Sequence, residues 1–293
     1  MRTIFLRRAL ADPNEIIRSL AAIDTPRLIN PVISALQDNG TPLDFADALS
    51  RAKLLLSTPR SFLLTSLTAK LLSDGPPETY RRVVMTPHIT LYTDPDFSSE
   101  DKQLLLVFTG LHYRVFLPVA AFLQILPARR FDIVMLRDPT AVSFEGGIPD
   151  YATSLPDLAA RLVRDFDGSR YAGIATMGIS LSALTALRAG ILTGARRAIA
   201  FGPRFNWHIG RMINGRRTVP AFDLLCACGP RGRTQLFAVY AAGNTTDAKN
   251  AERLGRILPV DIRPIAGSDN HNVVYVLTKA GRFRDLLLEM LEG

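Results

Sequence analysis

The sequence predicts an α/β fold with a mainly parallel, doubly wound sheet, preceded by a helical segment. After about residue 80, short apolar runs alternate with stretches of helical spacing, which is the pattern of parallel strands joined by crossover helices. Before that point, helical spacing recurs between turn-forming residues. With 293 residues, of which 47% are hydrophobic, the chain is long enough for one large domain or two modest ones.

The helical segment, residues 1–80, is predicted to form an amino-terminal extension. Its helical patterns cover Asn14 to Ile23, Arg27 to Gln37, Asp44 to Leu56 and Arg60 to Leu72. Turn residues at 38–40 and 73–77 interrupt and end the pattern. No fixed-period repeat is present. We expect this extension to cover an edge of the sheet, to form a homo-oligomer or to dock a protein partner.

Seven strand-like runs are predicted within residues 81–293, the α/β part of the chain. They are His88 to Thr93, Lys102 to Thr109, Asp132 to Leu136, Gly173 to Gly178, Ala198 to Gly202, Thr234 to Ala242 and Val260 to Ile265. Helical patterns separate most of these runs, which favours a sheet with helices on both faces. Residues 203–233, between the fifth and sixth runs, form the main irregular insertion.

The net charge of +8 and the pI near 9.9 raise the question of a nucleic-acid partner. The basic residues are mostly scattered arginine pairs, and only five of the 35 are lysine. No nucleic-acid-binding motif accompanies them, so we predict no nucleic-acid partner. Attraction of an anionic substrate or an acyl carrier stays open.

The sequence gives no sign of export or of a membrane span. Residues 1–8 lack an apolar core, and the longest apolar stretch, Phe116 to Pro127, is shorter than the ~20 residues that cross a bilayer. Cys226 and Cys228 are too few for a disulfide framework or a metal set. We therefore predict a cytoplasmic protein with no metal and no cofactor.

The most informative motif is Gly178-Ile179-Ser180-Leu181-Ser182. It follows an apolar run of small residues and opens a helical pattern, as a serine on a sharp strand-to-helix turn would. Such a turn needs small residues two before and two after the serine, and Gly178 and Ser182 meet that need. Because five residues of this form also occur by chance, the prediction depends on what the rest of the chain supplies.

One histidine and one aspartate supply that context. His271 follows a strand-like run and a polar turn, and it precedes an apolar helical pattern. Asp247 lies in the loop that leaves the strand-like run Thr234 to Ala242. The order Ser180, Asp247, His271 puts each residue after a strand, which is the order of one large class of serine-dependent enzymes.

Because of Ser180, Asp247 and His271 and their order after strands, residues 81–293 resemble the α/β-hydrolase superfamily. The resemblance implies a sheet of α/β-hydrolase type, with Ser180 as nucleophile, His271 as base and Asp247 as acid. Asn244 occupies the loop position where the acid is usual, and Asp247 lies farther along. Asp247 is therefore predicted either to orient His271 or to cap the helix through Ala251 to Leu254.

The resemblance also implies an oxyanion hole and a lid. The amide donors would be those of Leu181 and Leu111, although Thr109-Gly110 stands where the family often has His-Gly. His112 is expected either to line the substrate site or to be a hydrogen-bonded loop residue. The lid would be residues 203–233, in which Trp207 either shapes an apolar substrate pocket or forms the core of the lid.

Three functions follow as hypotheses. The first is a serine hydrolase or acyltransferase that acts on an ester or thioester of a small-molecule or acyl substrate through a Ser-His-Asp triad and an acyl-enzyme. The second is a catalytically inactive binding protein of the same fold. The third is a glycan- or carrier-linked enzyme recruited through residues 1–80. Fold alone does not separate them.

Overall fold

The computed structural model describes residues 36–51, 67–110, 113–205 and 234–293. The chain divides into two compact units. The smaller comprises residues 1–82 and 117–128, and the larger comprises residues 83–116 and 129–293. Residues 117–128, which the sequence analysis assigned to the α/β part, therefore belong with the amino-terminal residues. A domain boundary at about residue 80 stays a prediction.

The described part of the smaller unit is largely helical. Helix α1 is Pro42–Arg51 and α2 is Val119–Ile125, and residues 67–73 are also helical. Thr41 and Asp44 form a reciprocal cap on α1: Thr41 N–H donates to Asp44 Oδ2 at 2.8 Å, and Asp44 N–H donates to Thr41 Oγ1 at 3.2 Å. This pairing satisfies amides that a helix start leaves without partners. The predicted helix Asn14 to Ile23 lies outside the described residues.

An eight-stranded sheet has the order β1-β2-β4-β3-β5-β6-β7-β8. The strands are β1 Arg81–Thr86, β2 Ile89–Thr93, β3 Gln103–Phe108, β4 Phe131–Leu136, β5 Gly173–Ile179, β6 Arg197–Phe201, β7 Gln235–Ala241 and β8 Val260–Ile265. Strands β3 to β8 pair in parallel, and β2 runs antiparallel to β4. The predicted mainly parallel sheet is thereby confirmed.

Helices of the larger unit cover both faces of this sheet. They are α3 Leu155–Asp165, α4 Ala183–Thr193, α5 Thr245–Gly255, α6 Val273–Lys279 and α7 Phe283–Glu292. Ala200 of β6 packs in one apolar cluster with α4 and α5. Its neighbour Phe201 points to the other face, where its ring meets Phe283 of α7 edge to face at 5.5 Å. The alternation along β6 thus separates two helical layers, as a doubly wound sheet requires.

Parallel pairing brings the carboxyl ends of β3 to β8 to one edge of the sheet. Ligands of open α/β sheets bind outside this edge. The connections after β3, β5, β6, β7 and β8 carry the residues that the sequence analysis selected. In the part of the chain that the structure describes, no helix has both the length and the apolar composition needed to cross a membrane.

Candidate functional site

Ser180 lies on the sharp turn between β5 and α4. Its φ is +50°, a left-handed conformation that costs an ordinary residue roughly 1–2 kcal/mol. A single 3-10 turn, Ser180–Ser182, leads directly into α4. Backbone strain of this kind is concentrated at active sites and switches. The strand, turn and helix that the motif predicts are present at the expected residues.

Gly178 is required by the tightness of this turn. A β-carbon added there would lie 2.3 Å from the carbonyl oxygen of Ser182 and 2.8 Å from the Ala186 β-carbon. Both distances are far shorter than carbon contacts allow, and a backbone atom is the nearer obstacle. The small residue two positions before the serine is therefore a steric necessity.

Ser182 does more than supply a small side chain. Its hydroxyl is buried, donates to the Phe108 carbonyl at 2.6 Å and accepts from the Ile179 N–H at 3.2 Å. Phe108 ends β3 and Ile179 ends β5, so this one hydroxyl joins the two strands where the sheet opens toward the site. The sequence analysis recognised the size of Ser182 and missed this link.

His271 lies between β8 and α6 and contacts both other members of the predicted triad. Its Nε2 is 2.8 Å from Ser180 Oγ, and its Nδ1 is 2.7 Å from Asp247 Oδ2. An ionised carboxylate only accepts hydrogen bonds, so Nδ1 carries the proton in this pair. Nε2 is then the lone-pair acceptor that faces the serine hydroxyl.

Asp247 stands in the first turn of α5, and Asn244 is the residue that caps this helix. The Asn244 side chain accepts from the Asp247 N–H at 3.0 Å, while the Asp247 carboxylate is fully buried against His271. Within the described part of the chain, Asp247 Oδ1 has no hydrogen-bond donor. The helix start favours a negative charge here, and the helix-capping alternative belongs to Asn244.

Two neighbours hold the His271 ring in place. Gly202 follows β6 with φ +56°, and a β-carbon there would lie 2.9 Å from His271 Cε1. On another side, the Phe116 ring meets the imidazole edge to face at 5.5 Å. The close approach of the Gly202 backbone leaves the imidazole no room to shift in that direction.

Part of the predicted site lies outside the described residues. These positions are Leu111, His112, Trp207 and all of the lid insertion except residues 203–205. Beside them, Thr109 Oγ1 donates to the Leu136 carbonyl at 2.8 Å, and the Gly110 N–H donates to the Arg114 carbonyl at 3.1 Å. The start of the connection after β3 is thus fixed to β4. Both oxyanion donors, Leu181 and Leu111, stay predictions.

The connection after β4 borders the site and was not selected from the sequence. It contains Ala141, Ser143 and Phe144, all with φ between +56° and +62°. A small cleft beside the Ser180 turn is lined by Thr109, Gly110, Asp138, Ala141, Ser143, Phe144, Leu181 and Ser182. Asp138-Pro139 signals a turn in the sequence, but nothing local indicates what that turn contacts.

Among the described residues, no cluster of three or more histidine, cysteine, aspartate or glutamate side chains is arranged to hold a metal ion. The chemistry that the site offers is that of a serine hydroxyl, an imidazole and a buried carboxylate in hydrogen-bonded series.

Comparison with known proteins gives matches in structure. No protein-family model matches the sequence, and no curated protein sequence does. The S-formylglutathione hydrolase of Staphylococcus aureus is similar with a TM-score of 0.51 and 13% identity, over 73% of this chain and 99% of the other. Fluorophosphonate-binding serine hydrolase F of the same species is similar with a TM-score of 0.52 and 11% identity, over 74% and 100%.

A third similar structure extends over more of the chain. A 2,6-dihydroxy-pseudo-oxynicotine hydrolase matches with a TM-score of 0.52 and 11% identity, over 96% of this chain and 86% of the other. At such low identities the likeness concerns the fold. Together with the strand order, the turn at Ser180 and the positions of Asp247 and His271, it establishes that the chain has the α/β-hydrolase fold.

Proposed function

We propose that this protein is a serine hydrolase or acyltransferase that acts on an ester or thioester. One observation carries the proposal: two consecutive short hydrogen bonds, of 2.8 Å and 2.7 Å, connect Ser180 to His271 and His271 to the buried Asp247. A serine hydroxyl is a weak nucleophile until a base removes its proton, and a base needs an orienting group to keep the correct tautomer. The serine, its base and the group that orients the base thus form one contiguous chain of hydrogen-bonded side chains.

In the proposed reaction, Ser180 Oγ attacks the carbonyl carbon of the substrate while His271 Nε2 takes the hydroxyl proton. Asp247 stabilises the imidazolium that forms. The tetrahedral intermediate then expels an alcohol or thiol, which receives that proton from His271, and an acyl-Ser180 ester remains. Water, or another alcohol in the case of transfer, attacks this ester by the same steps in reverse.

Negative charge on the substrate oxygen needs preorganised donors. We assign the first to the N–H of Leu181, which follows the nucleophile at the start of the 3-10 turn and α4. Amides in the first turn of a helix have no partner within the helix and carry partial positive charge. The second donor would come from Leu111, next to Gly110.

The structural neighbours support hydrolysis as the general reaction. Their names describe an S-formylglutathione hydrolase, a fluorophosphonate-binding serine hydrolase and a 2,6-dihydroxy-pseudo-oxynicotine hydrolase. The substrates named in the first and third differ from each other, so we transfer only the class of reaction. A location in the cytoplasm and a partner or second copy bound through residues 1–80 stay predictions.

The direct test is labelling with a fluorophosphonate, which reacts with activated serines. We expect one adduct on the wild-type protein, mapped to Ser180 by peptide mass, and none on Ser180→Ala. His271→Ala and Asp247→Asn should label at least about 100-fold more slowly with their folding intact, because members of such a unit act together. Circular dichroism and thermal unfolding check the fold of each variant.

Two variants serve as controls. Ser169→Ala removes an exposed hydroxyl whose hydrogen bond goes to Asp167, and it should label like the wild type. Asn244→Ala removes the cap of α5, which should lower stability by about 1 kcal/mol and leave most of the reactivity. Folded wild-type protein that takes no adduct would refute the proposal and favour a binding protein with this fold.

A further inference from the structure

The connection between β4 and α3 is attached to the helix that follows the nucleophile. We call residues 138–147 the β4 loop. Ser143 Oγ donates to the Leu181 carbonyl at 2.9 Å, and Thr185 Oγ1 donates to the Ser143 carbonyl at 2.8 Å. Arg188 forms an ion pair with Glu145. These contacts join two residues of the loop, Ser143 and Glu145, to Leu181 in the 3-10 turn and to two residues of α4.

These contacts are shielded from water, so they hold the loop firmly. Ser143 is 5% exposed, Thr185 2% and Arg188 4%. Breaking a buried hydrogen bond leaves a polar group without a partner, which is costly in a low-dielectric environment. Because the loop is held in this way, the loop and the first turn of α4 have little freedom to move relative to each other.

The backbone of the β4 loop is held in conformations that it would not adopt alone. Ala141, Ser143 and Phe144 have φ of +56°, +60° and +62°, where residues other than glycine are strained. The Asp138 carboxylate accepts from the Phe144 N–H at 2.9 Å, and the Phe144 ring packs edge to face on Phe108 at 5.1 Å. Strain persists where surrounding contacts over-determine the backbone, and such segments are concentrated at functional sites.

Leu181 is the residue on which this attachment acts. Its N–H is the oxyanion donor of the proposed function, and its carbonyl accepts from Ser143. An oxyanion donor has to lie about 2.7–3.1 Å from the charge that develops, and small displacements of catalytic groups lower rates steeply. On its amino side, Leu181 is bonded to the backbone of Ser180, which is held at φ +50°. On its carboxyl side, the Leu181 carbonyl is held by the Ser143 hydroxyl.

We propose that Ser143 is a positioning residue that holds the Leu181 amide in place for the oxyanion. This inference rests on the proposed function, since it assigns a role within the same reaction. It predicts that the Ser143 hydroxyl lowers the barrier of the chemical step and contributes little to the binding of the uncharged ester.

The test measures p-nitrophenyl acetate turnover and the rate of fluorophosphonate labelling for Ser143→Ala and Ser143→Gly. Both variants lack the hydroxyl, but alanine keeps the β-carbon that is strained at φ +60° in serine, whereas glycine removes that strain. We expect both to lower kcat about tenfold with KM within about twofold of the wild type, because the lost contact acts in the transition state. The maximal labelling rate should fall by a similar factor.

Ser154→Ala is the matched control. Ser154 belongs to the same connection and caps α3 by accepting from the Asp157 N–H at 3.2 Å. Its loss should lower the unfolding temperature while kcat and the labelling rate stay at wild-type values. Loss of stability in the connection is thereby separated from loss of the contact to Leu181.

The outcomes are distinct. Wild-type kcat and labelling in Ser143→Ala would overturn the role of Ser143 and leave the proposed function standing. Full recovery in Ser143→Gly would overturn it as well, because the effect would then come from backbone strain. A wild-type protein that takes no adduct at Ser180 would overturn the inference together with the proposed function.

Discussion

At the scale of single residues, the candidate site depends on backbone positions that few residue types can occupy. Ser180 and Gly202 both have positive φ, and both lie next to His271. Gly202 leaves the space that the imidazole fills. A substitution that adds one carbon at Gly202 therefore changes the position of the His271 imidazole and leaves the imidazole itself unaltered.

We predict that Gly202→Ala lowers kcat at least about 100-fold, since the added methyl would lie 2.9 Å from His271 Cε1 and push Nε2 away from Ser180. The strain at φ +56° should also cost about 1 kcal/mol of stability. Esterase kinetics and thermal unfolding measure the two effects. Gly194→Ala is the control, because Gly194 has φ +65° and open space around it. It should lose similar stability and keep its activity; equal activity losses in the two variants would contradict the steric account.

Residue identity alone left the role of Asp247 open in the sequence. Aspartate is preferred at helix starts, so Asp247 was an acceptable helix cap as well as a candidate acid. The choice depends on where α5 begins, and the helix begins at Thr245 with Asn244 as its cap. The cap thus lies about one helical turn before Asp247, and the periodicity of the sequence does not fix a helix start that closely. With the cap at Asn244, the Asp247 side chain is left to face His271.

At the scale of elements, the buried strands were predictable because parallel strands between two helical layers are apolar on both faces. All six residues of β4 are buried, and it was predicted to within a residue. Strand β1 was missed because its sequence shows little alternation of apolar and polar residues. Its residues are mostly exposed, as suits the edge of a sheet. The β4 loop was also missed, because its contact with Leu181 joins residues 38 positions apart.

We predict that Ser182→Ala destabilises the connection between β3 and β5. The substitution leaves the Phe108 carbonyl and the Ile179 N–H without their hydroxyl partner, which should cost about 1–3 kcal/mol. Denaturant unfolding measures this loss, and kcat should fall as the turn loosens. Ser169→Ala, which removes an exposed hydroxyl, should leave both unchanged. An unfolding free energy equal to that of the wild type would show that Ser182 acts through its size alone.

At the scale of the molecule, a polar cluster holds the opposite edge of the sheet. Lys102 is 1% exposed, and its Nζ donates to Asp132 Oδ1 at 2.9 Å and to the Asp94 carbonyl at 2.5 Å. The Tyr171 hydroxyl donates to Asp132 Oδ2 at 2.9 Å. Burial and the Asp132 carboxylate raise the pKa of Tyr171 above its ordinary value, so the phenol stays a donor into the alkaline range.

This cluster lies at the amino ends of β3, β4 and β5, and Ser180 lies beyond the carboxyl end of β5. We predict that Lys102→Met lowers the free energy of unfolding by about 3–5 kcal/mol, because Asp132 is left as a buried charge without its cation. Below the unfolding transition, the rate of fluorophosphonate labelling at Ser180 should be unchanged. Urea denaturation and labelling at low temperature measure the two quantities. Reduced labelling of fully folded variant protein would contradict the separation of the two edges.

The strained backbone of the described residues is concentrated at one edge of the sheet, where it lowers the stability of the fold. Of the eight non-glycine residues with positive φ in the described ranges, seven lie in the connections after β3, β4 and β5: Tyr113, Phe116, Ala141, Ser143, Phe144, Asp150 and Ser180. Replacement of Ser180 by glycine would relieve about 1 kcal/mol of strain and remove the proposed nucleophile. In the proposed function, the strained backbone at Ser180 therefore gives up stability for reactivity, as active sites that need a strained residue do.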